Sequence, residues 1–342
     1  MSRDLCLQTL RLEPTPRLAH TDYVSNAPLM REMTGQAAPS PAAFARAWSL
    51  DLDWWVNDGP IDWGRAGRVT DMGHAEFLEA GSDYRPAQPS PFTDVEQVLA
   101  FDAVAEYGLP PFDELVTHYE RAWQARQADL PETLVTGGYY KTVVSGAIQT
   151  FGWEMLLLAA AEADAFARVL QTFAQRTLYH IRAWAQTSAP VLIQHDDMVW
   201  TEGAFLHPEF YRAHIFPAYA EFWAAAHAAG KLVLFCSDGD FTEFVDDLVA
   251  AGADGLIFEP MTDLRAVVSR WGQQIAIVGS LLDCRTLTWG SREQIAAEID
   301  GTLELARDCP GFVFAVGNHI PANVPIDSAR FYLDYLRARW ER

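Results

Sequence analysis

Basic residues are scarce in this chain: its 342 residues hold 25 Lys and Arg against 46 Asp and Glu, a formal net charge of −21 at pH 7. Binding to nucleic acid or to an anionic membrane surface needs basic patches that meet the phosphates, so both partner classes are set aside. The excess of acid implies only a chain kept soluble by like charge. Cysteine is sparse as well. Cys6, Cys236, Cys284 and Cys309 are too few and too scattered for a disulfide framework, and free thiols in a reducing compartment are expected. No uncharged apolar run reaches the roughly 18 residues of a membrane span, and the N-terminal MSRDLCLQTLRLEPTPRL lacks the apolar core of a secretory signal. A soluble, cytoplasmic protein is expected. Glycine-rich phosphate loops are missing too. No G-x-G-x-x-G or Walker-type loop follows any candidate strand, which counts against a nucleotide-binding doubly wound fold.

Apolar material, by contrast, is plentiful: half the residues are hydrophobic and 12% are aromatic, enough for a sizeable core. In the second half, short β-rich runs alternate with longer helical patterns. PVLIQ (190–194), KLVLF (231–235), DGLIF (254–258), QIAIVG (274–279) and FVFAVG (312–317) read as strands. Each is followed by a helical stretch: about 208–229, 240–251, 262–271, one opened by the capping-box pattern Ser291-Arg-Glu-Gln294, and 326–340. The strands are continuous apolar runs, as in a parallel sheet covered by helices. Gly230 and Gly252 stand where a helix must end before the next strand. Five βα units in a row predict an α/β fold, a (β/α)8 TIM barrel. The first half is less regular. Helices are predicted at Ser40–Leu50, Thr93–Glu106, Pro111–Gln127, from about Gly146 through Ala163, and at Asp164–Ala185, with TLVTGG (133–138) as a strand. No linker is visible, so 1–342 reads as one domain, with 1–90 as an N-terminal extension or lid.

In a parallel barrel the C-terminal strand ends share one rim, where barrel enzymes place their chemistry. After 190–194 come His195, Asp196 and Asp197; after 231–235 come Cys236, Ser237, Asp238, Gly239 and Asp240. Glu259 follows the third strand, Asp283 comes soon after the fourth, and Asn318 and His319 follow the last. A single strand-end polar residue is commonly a cap, and Asp240, just before a helix, reads as one. Five successive strands ending in acid, thiol, imidazole or amide predict an active site. His195, Asp196 and Asp197 are its catalytic candidates, the imidazole as a base and a carboxylate as a substrate ligand. Cys236 and Asp238, two apart, can point the same way and bind zinc, with His319 or Glu259 completing the site. The competing reading is a buried inert thiol beside a hydrogen-bonding carboxylate.

The stretches HDDMVWTEGAFLHPEFYRAHIFPAYAEF, GKLVLFCSDGDFTEFVDDLVAAGADGLIFEP, VGSLLD and GNHIPANVPIDSARFYLDYL, in that order, resemble the uroporphyrinogen decarboxylase superfamily, over about residues 130–340. That superfamily also contains zinc- and corrinoid-dependent methyltransferases. The resemblance implies a (β/α)8 barrel, and a homodimer at the level of the family. Authentic decarboxylases carry an N-terminal R-Q-A-G-R-Y segment that gathers carboxylates; here Arg11, Arg17 and Arg31 stand alone. The methyltransferase branch carries zinc on a His-x-Cys pair and a last-strand Cys. The corresponding positions are Cys236, Asp238 and Asn318, so the resemblance implies an altered ligand set of Cys236, Asp238, Glu259 and His319. No D-x-H-x-x-G corrinoid segment is present, which implies cobalamin carried by a separate corrinoid protein.

Tyr139, Tyr140 and Lys141 follow a candidate strand, and with Trp200, Asp283 and Asn318 are expected to contact substrate. Trp153 and Phe205 join Trp200 as apolar walls or as ordinary core, and Trp54, Trp55, Asp71 and His74 form a lid or pack against one. The leading expectation is methyl transfer from a small methylated (methoxyl or amine) compound to a corrinoid protein, assisted by zinc. The alternatives are a metal-independent decarboxylase of a small or porphyrin-like carboxylate and a non-catalytic ligand-binding barrel.

Overall fold

The computed structural model describes residues 2–60, 76–77, 83–84, 90–140, 142–317 and 319–342. The barrel strands are β1 (Ala19–His20), β2 (Leu52–Asp53), β3 (Leu134–Val135), β4 (Gly137–Tyr139), β5 (Val191–His195), β6 (Leu232–Ser237), β7 (Gly255–Phe258), β8 (Ala276–Gly279) and β9 (Phe312–Phe314). Seven of them form one parallel sheet running from β1 through β9, β8, β7, β6 and β5 to β4. β2 pairs in parallel with β3, which continues into β4 after Thr136. The ring closes between β1 and β2, where the Asp51 amide donates to the His20 carbonyl at 2.8 Å and the Thr21 hydroxyl donates to the Leu52 carbonyl at 2.8 Å. The fold is therefore the expected α/β barrel.

The apolar runs are explained by where alternate side chains go. Val191, Ile193, Leu234, Cys236, Ile257, Ala276, Val278 and Val313 form one buried cluster, the barrel interior. Their neighbours Leu192, Val233, Phe235, Leu256, Phe258, Ile277, Phe312 and Phe314 belong to the second cluster, against the helices. Each fully buried Leu or Phe contributes about 1.5–3 kcal/mol, so both faces hold the wall. Helix α1 (Arg3–Leu10) adds Leu5, Cys6 and Leu10 to the interior cluster. The Ser2 amide donates to Asp51, just before β2, at 2.7 Å, which sets α1 across the N-terminal mouth. Asp51 also takes a two-pronged contact from Arg17, at 2.7 and 2.8 Å.

The outer helices are α2 (Ala27–Thr34) and α3 (Pro41–Trp48) after β1, α4 (Phe112–Asp129) after β2, and α5 (Val144–Ala160) and α6 (Ala163–Ala185) after β4. Then come α7 (Phe216–His227), α8 (Val245–Ala251), α9 (Leu264–Trp271), α10 (Arg292–Ala306) and, last, α11 (Ile326–Arg337). α10 opens with the capping box of Ser291 and Gln294, and Gly252 closes α8 in the left-handed region at φ +112°.

Several expectations need correction. Within the stretch read as an extension, residues 19–20 and 52–53 are the barrel strands β1 and β2; two residues each is too short to leave a pattern. The stretch from 93 to 106 holds two short helices, Val95–Leu99 and Ala103–Tyr107, because Asp102 caps a new start. The helix predicted from 208 opens at Pro208–Phe210 and passes through a wider π turn at Tyr211–Ile215 before α7. Gly152, at φ +76° and ψ 165°, breaks α5 internally. Among the described residues no helix is long and apolar enough to cross a membrane. All four cysteines are buried and free.

Candidate active site at the C-terminal rim

β5 and β6 build the centre of the site. Their register sets His195 beside Cys236, with Asp197 and Asp238 two residues further along, just past the strand ends. His195 Nε2 and Asp197 Oδ1 are 2.9 Å apart, with the side chains only 12% and 7% exposed. The Asp238 amide donates to the same Oδ1 at 3.1 Å, and the Tyr140 hydroxyl donates to Asp197 Oδ2 at 3.2 Å. From α5, Ser145 accepts the Asp197 amide at 2.7 Å. The Tyr140 ring stacks on the imidazole with centroids 4.0 Å apart and planes at 20°. On another side the Trp54 ring lies 5.8 Å from the imidazole. Three neighbours thus fix Asp197, and two rings fix the plane of His195.

β4 brings Tyr140 to this place. Gly138 sits at φ +130°, and a Cβ there would lie 2.0 Å from the Ile193 carbonyl oxygen; only glycine allows β4 so close to β5. After β2, consecutive tryptophans point to opposite sides. Trp54 packs toward the barrel interior, and Trp55 meets Trp184 of α6 edge-on at 6.0 Å.

The four-ligand set Cys236, Asp238, Glu259 and His319 does not converge. Among the described residues the one group of three or more metal-ligand side chains with mutually close atoms is His195, Asp197 and Asp238, all within 4.8 Å of one another. Cys236 is held in the interior cluster with Ile257 and Val278. Burial, and then Asp238, Asp197 and Glu259, push its thiol well above the ordinary range. Glu259 accepts the Gly239 amide at 2.9 Å, and the His319 ring lies 6.3 Å from that of Tyr23. One imidazole and two carboxylates are still a donor set that suits a divalent cation, zinc among them. The residues fit such an ion, with Asp238 kept from the expected ligands and His195 and Asp197 in place of the others.

Asp196 also parts from its neighbours. Fully buried, it accepts the amides of Val143 and Val144 at 3.1 Å each and of Ser145 at 2.6 Å, plus the Tyr219 hydroxyl at 2.6 Å. It anchors the N-terminus of α5, where a negative charge is favoured, rather than facing the mouth. Burial raises its pKa while those hydrogen bonds oppose the rise.

Tyr139 points outward and stacks on His180 of α6 at 4.7 Å. Trp200 is 47% exposed and gathers Trp153 and Phe205 at 5.5 and 5.7 Å, an aromatic group on the rim's outer flank. Asp283 caps the short helix Cys284–Trp289 and pairs with Arg285 at 3.1 Å. Asp240 accepts from Thr242 at a turn start, as a cap does. Lys141, Asn318, Asp71 and His74 lie outside the described residues. Tyr23 and Ser145 were not foreseen; Tyr23 follows a strand that sequence reading missed, and Ser145 stood just ahead of the apolar helix predicted from about Gly146.

The family model described as Uroporphyrinogen decarboxylase (URO-D) matches residues 139–339. A curated relative, "Uroporphyrinogen decarboxylase" of Pelobacter propionicus, is 24% identical over 168 residues, 49% of this chain and 47% of its own. The chain thus aligns with about half of that relative's length. Similar solved structures include xylanase 10B from Thermotoga maritima (11% identity, TM-score 0.38, 72% of this chain and 91% of that one). The Ignisphaera aggregans GH53 catalytic domain is also similar (11%, TM-score 0.38, 93% and 97%). With more than half of its residues matched, this chain belongs to the uroporphyrinogen decarboxylase (URO-D) family.

Proposed function

We propose that the chain is a methyltransferase that takes a methyl group from a small methylated amine or methoxyl compound and passes it to cobalamin on a separate corrinoid protein. Its site would hold a divalent ion, zinc in the first instance, on His195, Asp197 and Asp238. The observation that carries this reading is the convergence of those three side chains under the rings of Tyr140 and Trp54. The bound ion would supply Lewis acidity toward the heteroatom that loses its methyl group.

The remaining work falls to the chain's own residues. Tyr140 and Trp54 hold the imidazole in one plane and displace water from beside it. Tyr140 and the Asp238 amide keep the Asp197 carboxylate in one orientation, and Ser145 holds the Asp197 backbone amide, which lowers the reorganisation a reaction demands. The carboxylates at the described rim, Asp197, Asp238 and Glu259, suit a neutral or cationic methylated compound better than a polycarboxylate. In the net reaction the carbon–heteroatom bond breaks, the heteroatom keeps the electron pair and takes a proton, and the methyl group goes to cobalt(I).

The curated relative's name supports a second reading, decarboxylation without metal, and the acidic rim counts against it. Metal analysis of the purified protein, followed by spectroscopic assay of methyl transfer to cob(I)alamin from methylated amines and methoxyl compounds, tests the proposal. Stoichiometric metal and methylcobalamin formation are expected. Metal-free protein that releases CO2 from a carboxylated substrate would overturn it.

A further inference from the structure

Behind Tyr139, between the barrel wall and α6, lies a charged group that the rim chemistry does not use. Arg176 is only 4% exposed. Its Nη1 donates to the Tyr139 hydroxyl, and its guanidinium lies 5.6 Å from the Tyr107 ring and 5.9 Å from the Tyr139 ring. Its Nε has no partner, and no carboxylate among the described residues lies within ion-pair distance. One turn along the same face of α6, His180 is fully buried and its Nε2 also lacks a partner. Its Nδ1 is 2.5 Å from the Tyr119 hydroxyl. Burial and Arg176 keep this imidazole neutral; with Nδ1 accepting from Tyr119, Nε2 carries a proton to donate.

Among the described residues this buried guanidinium is met by a hydroxyl and two ring faces, which is costly unless an anion accompanies it, and unpaired buried donors call for an occupant. We propose that Arg176 and His180 form a buried site for a free, small monovalent anion of carboxylate or halide size. The guanidinium fork would grip it, and the imidazole N–H would complete the shell. Tyr139 separates Arg176 from the rim. Gly59 covers the other end so closely that a Cβ there would lie 2.9 Å from the Tyr119 hydroxyl and 3.3 Å from the His180 ring. The inference is independent of the methyl-transfer reading.

Crystals of the full chain grown in sodium bromide test it. An anomalous peak within hydrogen-bond reach of Arg176 Nε is expected in the wild type and not in Arg176→Met. In solution, bromide or formate should raise the wild-type melting midpoint in a saturating way, by about 2 °C or more over sulfate of equal ionic strength. Arg176→Met, which exchanges a buried ion for an apolar chain, should lose that response. A map with only water at Nε, or equal anion responses in the two proteins, would overturn the proposal. If Arg176→Met does not fold, the wild-type map decides.

Discussion

Tyr140 meets the His195–Asp197 pair twice: its ring lies flat on the imidazole, centroids 4.0 Å apart, and its hydroxyl donates to Asp197, which in turn bonds His195. The two contacts can be separated. Tyr140→Phe keeps the stack and loses a hydrogen bond to a charged acceptor, worth about 1.5–3 kcal/mol, so kcat/KM for methyl transfer should fall about 10- to 100-fold. Tyr140→Leu should fall further. Equal activities in Tyr140→Phe and the wild type would remove the hydroxyl from the site's design.

Metal affinity separates the two candidate ligand sets. Calorimetric titration with zinc should show Asp238→Asn and His195→Ala weakened by more than the roughly 10- to 100-fold typical of lost outer-shell partners. Cys236→Ala should bind zinc as the wild type does. The opposite pattern, loss in Cys236→Ala alone, would restore the thiol as a ligand.

Asp196 should behave as a structural anchor. Asp196→Ala leaves three amides and the Tyr219 hydroxyl without their acceptor, a cost of about 3 kcal/mol or more, read as a lower urea midpoint. Asp196→Asn keeps one oxygen and should cost less. A variant of unchanged stability and abolished turnover would instead make Asp196 a participant in the reaction.

His180 gives the fold an acid sensitivity. Tyr119, Tyr139 and Arg176 face its ring, and burial, then Arg176, push its pKa well below the ordinary value. The unfolded chain's imidazole protonates near pH 6.5, so below that pH the unfolded state binds more protons. Stability is full above about pH 6.5 and falls as the pH drops, by up to about 1.4 kcal/mol per unit. His180→Phe retains a ring against Tyr139 and should flatten the slope by one proton between pH 7 and 5. Identical slopes would assign the acid sensitivity to other groups.

The legible part of the fold was the part where strands are apolar on both faces and end in polar or glycine residues. β5 to β9 are of that kind, and their order along the chain carried the barrel. β1 and β2 were invisible because two residues cannot show a period. At the site, His195, Asp196 and Asp197 were legible as polar residues at a strand end, but not which carboxylate meets the imidazole. The i, i+2 spacing that joined Cys236 to Asp238 misled. They share a side, but Cys236 sits among the interior apolar residues while Asp238 reaches the rim. Cys236 stands level with His195 across the two strands, so what divides them is side-chain packing between strands, which no single segment encodes. Tyr139 and Tyr140 look equivalent in sequence, and the wall of the barrel divides them.

The sealed thiols make the chain a reporter of its own opening. Cys6 lies in the plug at the N-terminal mouth, Cys236 beneath the rim, Cys284 on the rim's flank and Cys309 beside the start of β9. An alkylating reagent can reach each only when its part of the barrel breathes. The order in which the four become labelled under mild denaturant would therefore tell which end of the barrel parts first.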